Sequence, residues 1–312
     1  MFCIVAFIVL SIISIFSVSH RALAKEAFDC VFRRITLRPC NTGFQEKMKA
    51  KITGKLLKRS VIAAKLISKN FELLSWILFI ITIASIFWTG KGLYNFYMFG
   101  SCNGLNKSGF CALDPTGENN KISQAGGTCS LGEGDESKVT LKDVDLSTFP
   151  TKNIGSKDTV VFIGCFNCDY TRKAYPVFKE FLSKNRVNYT FAHYPIKSET
   201  SYLLPIGYCA YKQDKEKYWK FVDKLFESNK EDNANPEYIN KALTNLGYSS
   251  DSINKCVQSQ ETKTAVAKQR IELEKTNIYG TPLVFIKNKG LVGPKPFRVY
   301  NRILNGLKFW KK

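Results

Sequence analysis

The stretch TVVFIGCFNCDYTRK at residues 159–173 decides how this chain folds. Its first six residues are mostly apolar and rich in β-branched side chains, which reads as a buried strand. From Tyr170 onward, Ala174, Val177, Phe178, Phe181 and Leu182 recur at helical spacing with Lys and Arg between them. VNYTFA at 187–192 then reads as a second strand. Strand, helix and strand of these lengths make a βαβ unit, whose crossover is right-handed. Cys165 and Cys168 fall where the strand gives way to the helix. In that position CxxC reads as a redox pair, because a helix N-terminus presents unpaired N–H groups and partial positive charge that favour a thiolate over a thiol. The competing readings are a structural disulfide and half of a metal site. Zinc needs two further ligands, for which the region offers His193, Cys209 and Cys256 besides acids.

Downstream, residues 199–277 show helical periodicity broken at 233–236 and 247–251, the pattern of a helical subdomain. Strand character returns in LVFIK at 283–287, turns through 288–290, and closes with a helix over about 297–307. Gly280-Thr281-Pro282 stands directly before that strand, where a proline costs no ladder hydrogen bond. Tyr218, Trp219, Phe221 and Phe226 recur as core positions. His193, just after the second strand, reads as a structural residue with its hydrogen bonds satisfied. Cys209 and Cys256 lie in the helical section, either as a disulfide or as two buried thiols.

Four stretches together, FIGCFNCDYTRKAYPVFKEF, YCAYKQDKEKYWKFVDKLF, NKCVQSQ and YGTPLVFIKNKGLVG, resemble the DsbA family of thioredoxin-like proteins in order and spacing, over about residues 158–308. The resemblance implies an α/β thioredoxin-like fold with a helical insertion and a cis bond at Thr281-Pro282 beside the redox cysteines. It also implies a thiol-disulfide oxidoreductase without a bound organic cofactor. Its partners would be thiol-containing substrate proteins and a recycling redox protein or quinone-linked membrane enzyme. One departure bears on mechanism. The family pattern of strand, short connection, then Cys-Pro-Tyr-Cys followed by Arg-Lys lays onto Cys168-Asp169-Tyr170-Thr171-Arg172-Lys173, so Thr171 occupies the usual second cysteine. In this register Cys168 is the nucleophile, Cys165 resolves from the strand side, and Thr171 donates a hydrogen bond to the Cys168 thiolate. In the other register Cys165 attacks and Cys168 resolves. A third possibility is Cys168 acting alone as a monothiol.

The N-terminal half explains the rest of the composition. The chain has 312 residues, 45% of them hydrophobic, and a formal charge of +20, which by itself suggests nucleic acid. Residues 20–71, however, hold 13 Lys or Arg against three acids, between two apolar segments. We therefore expect transmembrane helices at 1–19 and 72–90, with Trp76, Trp88, Tyr94 and Tyr97 at the lipid interface. The basic 20–71 loop stays cytoplasmic, a connector runs over 91–150, and the domain at 151–312 lies outside the membrane. No nucleic-acid partner is expected. Ala22-Leu23-Ala24 allows a cleaved signal peptide instead, but the charge follows the apolar run where a signal peptide has it first. The abrupt apolar start is also what a chain lacking its true N-terminus would show. On this topology Cys3 lies near the outer end of the first span, while Cys30 and Cys40 lie inside with Arg33, Arg34 and Arg38 favouring their thiolates. Cys102 and Cys111 in the connector are expected to pair. A rival of another class is a membrane-tethered thioredoxin-like module that holds a client or a soft metal such as copper.

Overall fold

The computed structural model describes residues 2–36, 38, 43–58, 60–107, 109–123, 129–131, 138–196 and 198–306. The chain divides into two units, 1–91 and 92–312.

In the first unit α1 (Phe2–Phe16) doubles back through a short turn into α2 (Arg21–Ile35), followed by α3 (Phe44–Leu57) and α4 (Val61–Lys69). Cys3, Ala6 and Leu10 of α1 share a small core with Ala24, Ala27 and Cys30 of α2, together with Phe44 and Phe71. Small residues at 24, 27 and 30 leave the close-packing stripe that lets α1 lie against α2. The region read as a basic loop is thus largely helical. Cys3 and Cys30 form a disulfide with Cα atoms 6.2 Å apart. This corrects two expectations: the pair is not divided between the two ends of a span, and Cys30 does not stand as a thiolate. Cys40 lies outside the described residues.

The first apolar run therefore supplies a helix of 15 residues, roughly 22 Å at 1.5 Å per residue. Among the described residues one helix is long and apolar enough to cross a membrane, α5 (Phe71–Phe99). Two were expected; the first falls short because the chain breaks at Ser17 and turns back at Arg21. In α5 the large side chains Leu73, Trp76, Ile80, Phe87 and Trp88 are all exposed. An apolar helix with exposed flanks suits hydrocarbon better than water.

In the second unit β1 (Lys121–Ser123) and β2 (Cys129–Leu131) pair antiparallel. Its centre is a five-stranded sheet. The strands are β3 (Thr151–Lys152), β4 (Thr159–Gly164), β5 (Asn188–His193), β6 (Leu283–Ile286) and β7 (Lys289–Val292), ordered β3-β5-β4-β6-β7. Between β4 and β5 runs α6 (Asp169–Lys184). β4 and β5 pair in parallel, from Thr159 opposite Asn188 to Gly164 opposite His193. The other pairs are antiparallel. β4 is central and alternates faces: Val160 and Phe162 join the core under α6, and Val161 and Ile163 join Phe149, Leu273 and Phe285 on the other side.

Between β5 and β6 lies the helical insertion: α7 (Leu203–Gln213), α8 (Lys215–Glu227), α9 (Lys230–Asn233), α10 (Pro236–Asn245), α11 (Ser250–Gln258) and α12 (Gln260–Lys275). The chain ends its described part with α13 (Phe297–Asn305). The β6–β7 turn is tighter than expected from the sequence. Lys287 and Asn288 both have positive φ, 50° and 63°, and Ile286 pairs directly with Lys289. That is the two-residue hairpin whose turn twists with the strands.

The segment read as a connector is stitched to this unit. Cys102 and Cys111 form the expected disulfide. The Asn106 side chain donates to the Gly290 carbonyl at 2.7 Å and accepts from the Val292 N–H at 2.8 Å. Its amide thus supplies β7 with one residue's worth of a missing neighbouring strand.

Candidate active site

The site forms where β4 ends. Gly164 closes the strand, and a β-carbon there would sit 2.6 Å from Thr171 Cγ2 and 2.7 Å from Phe162 Cε1. Glycine is thus what lets the first turn of α6 approach the sheet. Replacing Gly164 by alanine forces these neighbours apart and is expected to cost about 1–3 kcal/mol, read as a lower midpoint of urea unfolding with unchanged slope.

Past Gly164 the chain turns tightly, with the Cys168 N–H donating to the Cys165 carbonyl at 3.2 Å. Cys168 is the N-cap of α6, and its carbonyl accepts the Arg172 N–H at 2.9 Å. Its sulfur therefore belongs to the residue at the positive end of the helix. Cys165, Phe166, Asn167 and Cys168 are all buried, whereas the next residue, Asp169, is exposed.

Both residues between the cysteines point inward. Phe166 packs on His193, Phe226 and Phe191, with ring centroids 4.5, 4.9 and 5.4 Å away. Asn167 donates from Nδ2 to Glu199 Oε1 and to the Lys230 carbonyl, both at 2.9 Å, and accepts from Asn233 Nδ2 at 3.0 Å. Arg172 donates to the carbonyls of Phe166, Leu225 and Ser228. The loop is thereby clamped to α8 and α9, and the helical insertion serves as its mount. Burial moves the Arg172 guanidinium somewhat below its usual pKa, while Asp169 and Glu231 act the other way.

Thr171 is fully buried, and its described bond runs to the other cysteine: Oγ1 accepts the Cys165 N–H at 3.4 Å. The expected donation to Cys168 is thus not the contact described. From the opposite side comes the Thr281-Pro282 peptide, which is cis. Leu283 pairs antiparallel with Ile163, so Thr281 and Pro282 stand at the same sheet end as Gly164 and Cys165. Thr281 is fully buried and its Oγ1 has no hydrogen-bond partner. Cys209 and Cys256 are joined in a disulfide between α7 and α11, with Cα atoms 5.9 Å apart.

Residues 155–305 match the family model described as thioredoxin. The domain is thioredoxin-like and similar to proteins of the DsbA type. A probable disulfide bond formation protein D from Bacillus anthracis is 28% identical over 159 residues, covering 46% of this chain and 72% of that protein. A protein of the same description from Bacillus cereus is 28% identical over 160 residues, with the same shares covered. Two solved structures overlay less closely. The thiol-disulfide exchange protein alpha-DsbA2 from Wolbachia pipientis has a TM-score of 0.46 at 20% identity, covering 51% of this chain and 87% of that one. Oxidised BdbD from Bacillus subtilis has a TM-score of 0.44 at 19% identity, covering 51% and 91%. In reaction class the thioredoxin-like domain is a thiol-disulfide oxidoreductase.

Several residues of this domain's site escaped the sequence reading. Asn233, Glu199 and Thr200 carry no motif, and they reach the redox turn from segments more than 30 residues away, the first two at Asn167 and Thr200 at Cys165. Arg172 was quoted as part of the family pattern without a role, which the structure supplies.

Proposed function

We propose that the chain is a membrane-anchored protein thiol-disulfide oxidoreductase in which Cys168 attacks and Cys165 resolves. The observation that carries this assignment is the position of Cys168 as N-cap of α6. The partial positive charge at a helix N-terminus favours a thiolate over a thiol, and the thiolate is the attacking form. Cys165 sits one tight turn upstream, just past the end of β4, placed to attack Cys168 Sγ in a mixed disulfide and release the substrate. In the oxidising direction a substrate thiolate opens the Cys165–Cys168 bond at Cys168. A second substrate thiolate then attacks the substrate sulfur of this mixed disulfide, the substrate disulfide forms, Cys168 leaves as a thiolate, and the site keeps two electrons as a dithiol. Thr281 and Pro282 border this sheet end, where an extended substrate segment would lie. The recycling partner would be a second redox protein or a membrane redox enzyme.

The test is a titration of the full chain in detergent against defined glutathione buffers, with alkylated cysteines mapped by mass. A reversible two-electron couple confined to Cys165 and Cys168 is the expected result. A chain that shows no such couple and binds copper(I) stoichiometrically is a soft-metal module instead.

In this reading α5 is the anchor. The basic residues between 20 and 71 precede it and stay on the cytoplasmic side, as short cationic segments do. The thioredoxin-like domain follows it and lies on the extracytoplasmic side. Single cysteines introduced at Lys51 and at Lys289 should then differ in intact cells: an impermeant maleimide labels the second and not the first. The reverse pattern would sink the topology.

A further inference from the structure

His193 closes β5 beside the redox turn, and its ring is held by two carbonyls. Nδ1 lies 3.2 Å from the Gly164 oxygen and Nε2 lies 3.1 Å from the Thr200 oxygen. A neutral imidazole has one N–H, so one of these carbonyls then faces a nitrogen lone pair; an imidazolium has two and satisfies both. The Gly164 oxygen also accepts the Tyr194 N–H at 2.9 Å, so that carbonyl keeps a donor in either state. The clasp is thus shaped for a cation, yet it sits in an apolar box. The face of Phe166 covers the ring, and a cavity of about 20 Å³ beside it is lined by Phe166, Leu203, Phe221 and Gln269.

A cation is tolerated in such a box only when a counter-charge appears beside it. Around His193 the candidate groups are few. Tyr208 of α7 and Tyr218 of α8 line the cavity, but burial raises both phenols above their usual range, and the Tyr208 hydroxyl is turned to Glu261. Glu199, next to Thr200, is exposed and gives its carboxylate to Asn167. The remaining group is Cys165, whose sulfur lies 3.9 Å from Thr200 Oγ1, on the residue whose carbonyl clasps the ring. Burial lowers the His193 pKa, while Cys165 and the two carbonyls act to raise it.

We propose that His193 is a positioning residue that takes up a proton when Cys165 becomes a thiolate, holding the resolving cysteine ready to attack. This rests on the assignment of Cys165 as the resolving residue. In the step, the Cys165 thiol loses its proton and the neutral His193 ring gains one, so the site's net charge is unchanged. The Cys165 thiolate then attacks Cys168 Sγ in the mixed disulfide. The Cys165–Cys168 bond forms, the Cys168–substrate bond breaks, and the substrate leaves with the electron pair as a thiolate. Once Cys165 is in a disulfide its charge is gone, and His193 releases the proton, by way of solvent, to the departing thiolate.

The chain has two histidines, His20 and His193, so ring resonances of the full chain labelled at histidine are assigned with one His20→Gln variant. The experiment follows the His193 ring signal against pH in the dithiol and the disulfide states. The expected result is a midpoint higher in the dithiol state by about one pH unit, a tenfold change in proton affinity, with the difference lost in Cys165→Ser. In His193→Gln, resolution of a preformed mixed disulfide at neutral pH should slow about tenfold and lose its pH dependence in that range. Equal midpoints in the two states of the wild type would overturn the proposal, and that measurement stands even if the glutamine variant does not fold. If Cys165 and Cys168 form no reversible disulfide in glutathione buffers, it is the assignment of the pair that fails. If they do and the midpoints coincide, only the role of His193 fails.

Discussion

Cys168→Ser should lower disulfide exchange by at least about a thousandfold, measured as oxidation of a reduced model protein by the full chain. A serine hydroxyl is almost wholly protonated at neutral pH, and its oxygen makes no exchangeable bond to sulfur. The helix end that stabilises a thiolate at Cys168 cannot lower a hydroxyl far enough to replace it. Cys165→Ser has a different expected signature. Offered a substrate disulfide, its Cys168 still attacks, the mixed disulfide does not resolve, and covalent adducts with substrate accumulate on Cys168, visible on a non-reducing gel. The two variants therefore separate the registers left open by the sequence. If adducts accumulate in Cys168→Ser and exchange is lost in Cys165→Ser, the roles are exchanged. The N-cap position of Cys168 argues against that outcome, because Cys165 lies upstream of the helix and its N–H is taken by Thr171.

The strands, the insertion and the redox turn were legible because each leaves a periodic or local mark. TVVFIG is a run of buried side chains on a strand covered on both faces, and the insertion carries amphipathic spacing in α8, α10 and α11. What was not legible was built from side chain to backbone bonds between distant segments. Asn106 is 184 residues from Gly290, and Asn167 is 63 from Lys230. No periodicity records such a bond, and asparagine in a Gly-rich stretch looks like any loop residue. The bond that Thr171 makes to the Cys165 N–H was missed for a related reason. Its place in the motif is legible, but which cysteine it faces depends on how closely α6 approaches β4, and Gly164 sets that distance. In the N-terminal unit, hydropathy alone suggested a first span, whereas α1 and α2 close on each other through small residues and the Cys3–Cys30 bond. Charge counted along a sequence does not reveal which faces of consecutive helices meet.

The mount of the redox turn should fail before the turn itself does. The Cys209–Cys256 disulfide joins α7 to α11 across 47 residues, a loop whose closure restricts the unfolded chain by about 4 kcal/mol in the chain-entropy account. Both sulfurs lie 3.5 Å from Thr262 Oγ1, so the bond also anchors the start of α12. The double variant Cys209→Ser, Cys256→Ser is expected to lose about that much stability and to lower the unfolding temperature by roughly 10 °C. Because α8 and α9 hold Asn167 and Arg172, loosening the insertion should also reach the catalytic loop. The paired measurement is thermal unfolding beside the exchange rate at a temperature where the variant is still folded. A drop in stability with a slower exchange rate is what a mount predicts. A drop in stability with an unchanged rate would show that the Asn167 and Arg172 contacts are independent of the packing of α7 on α11.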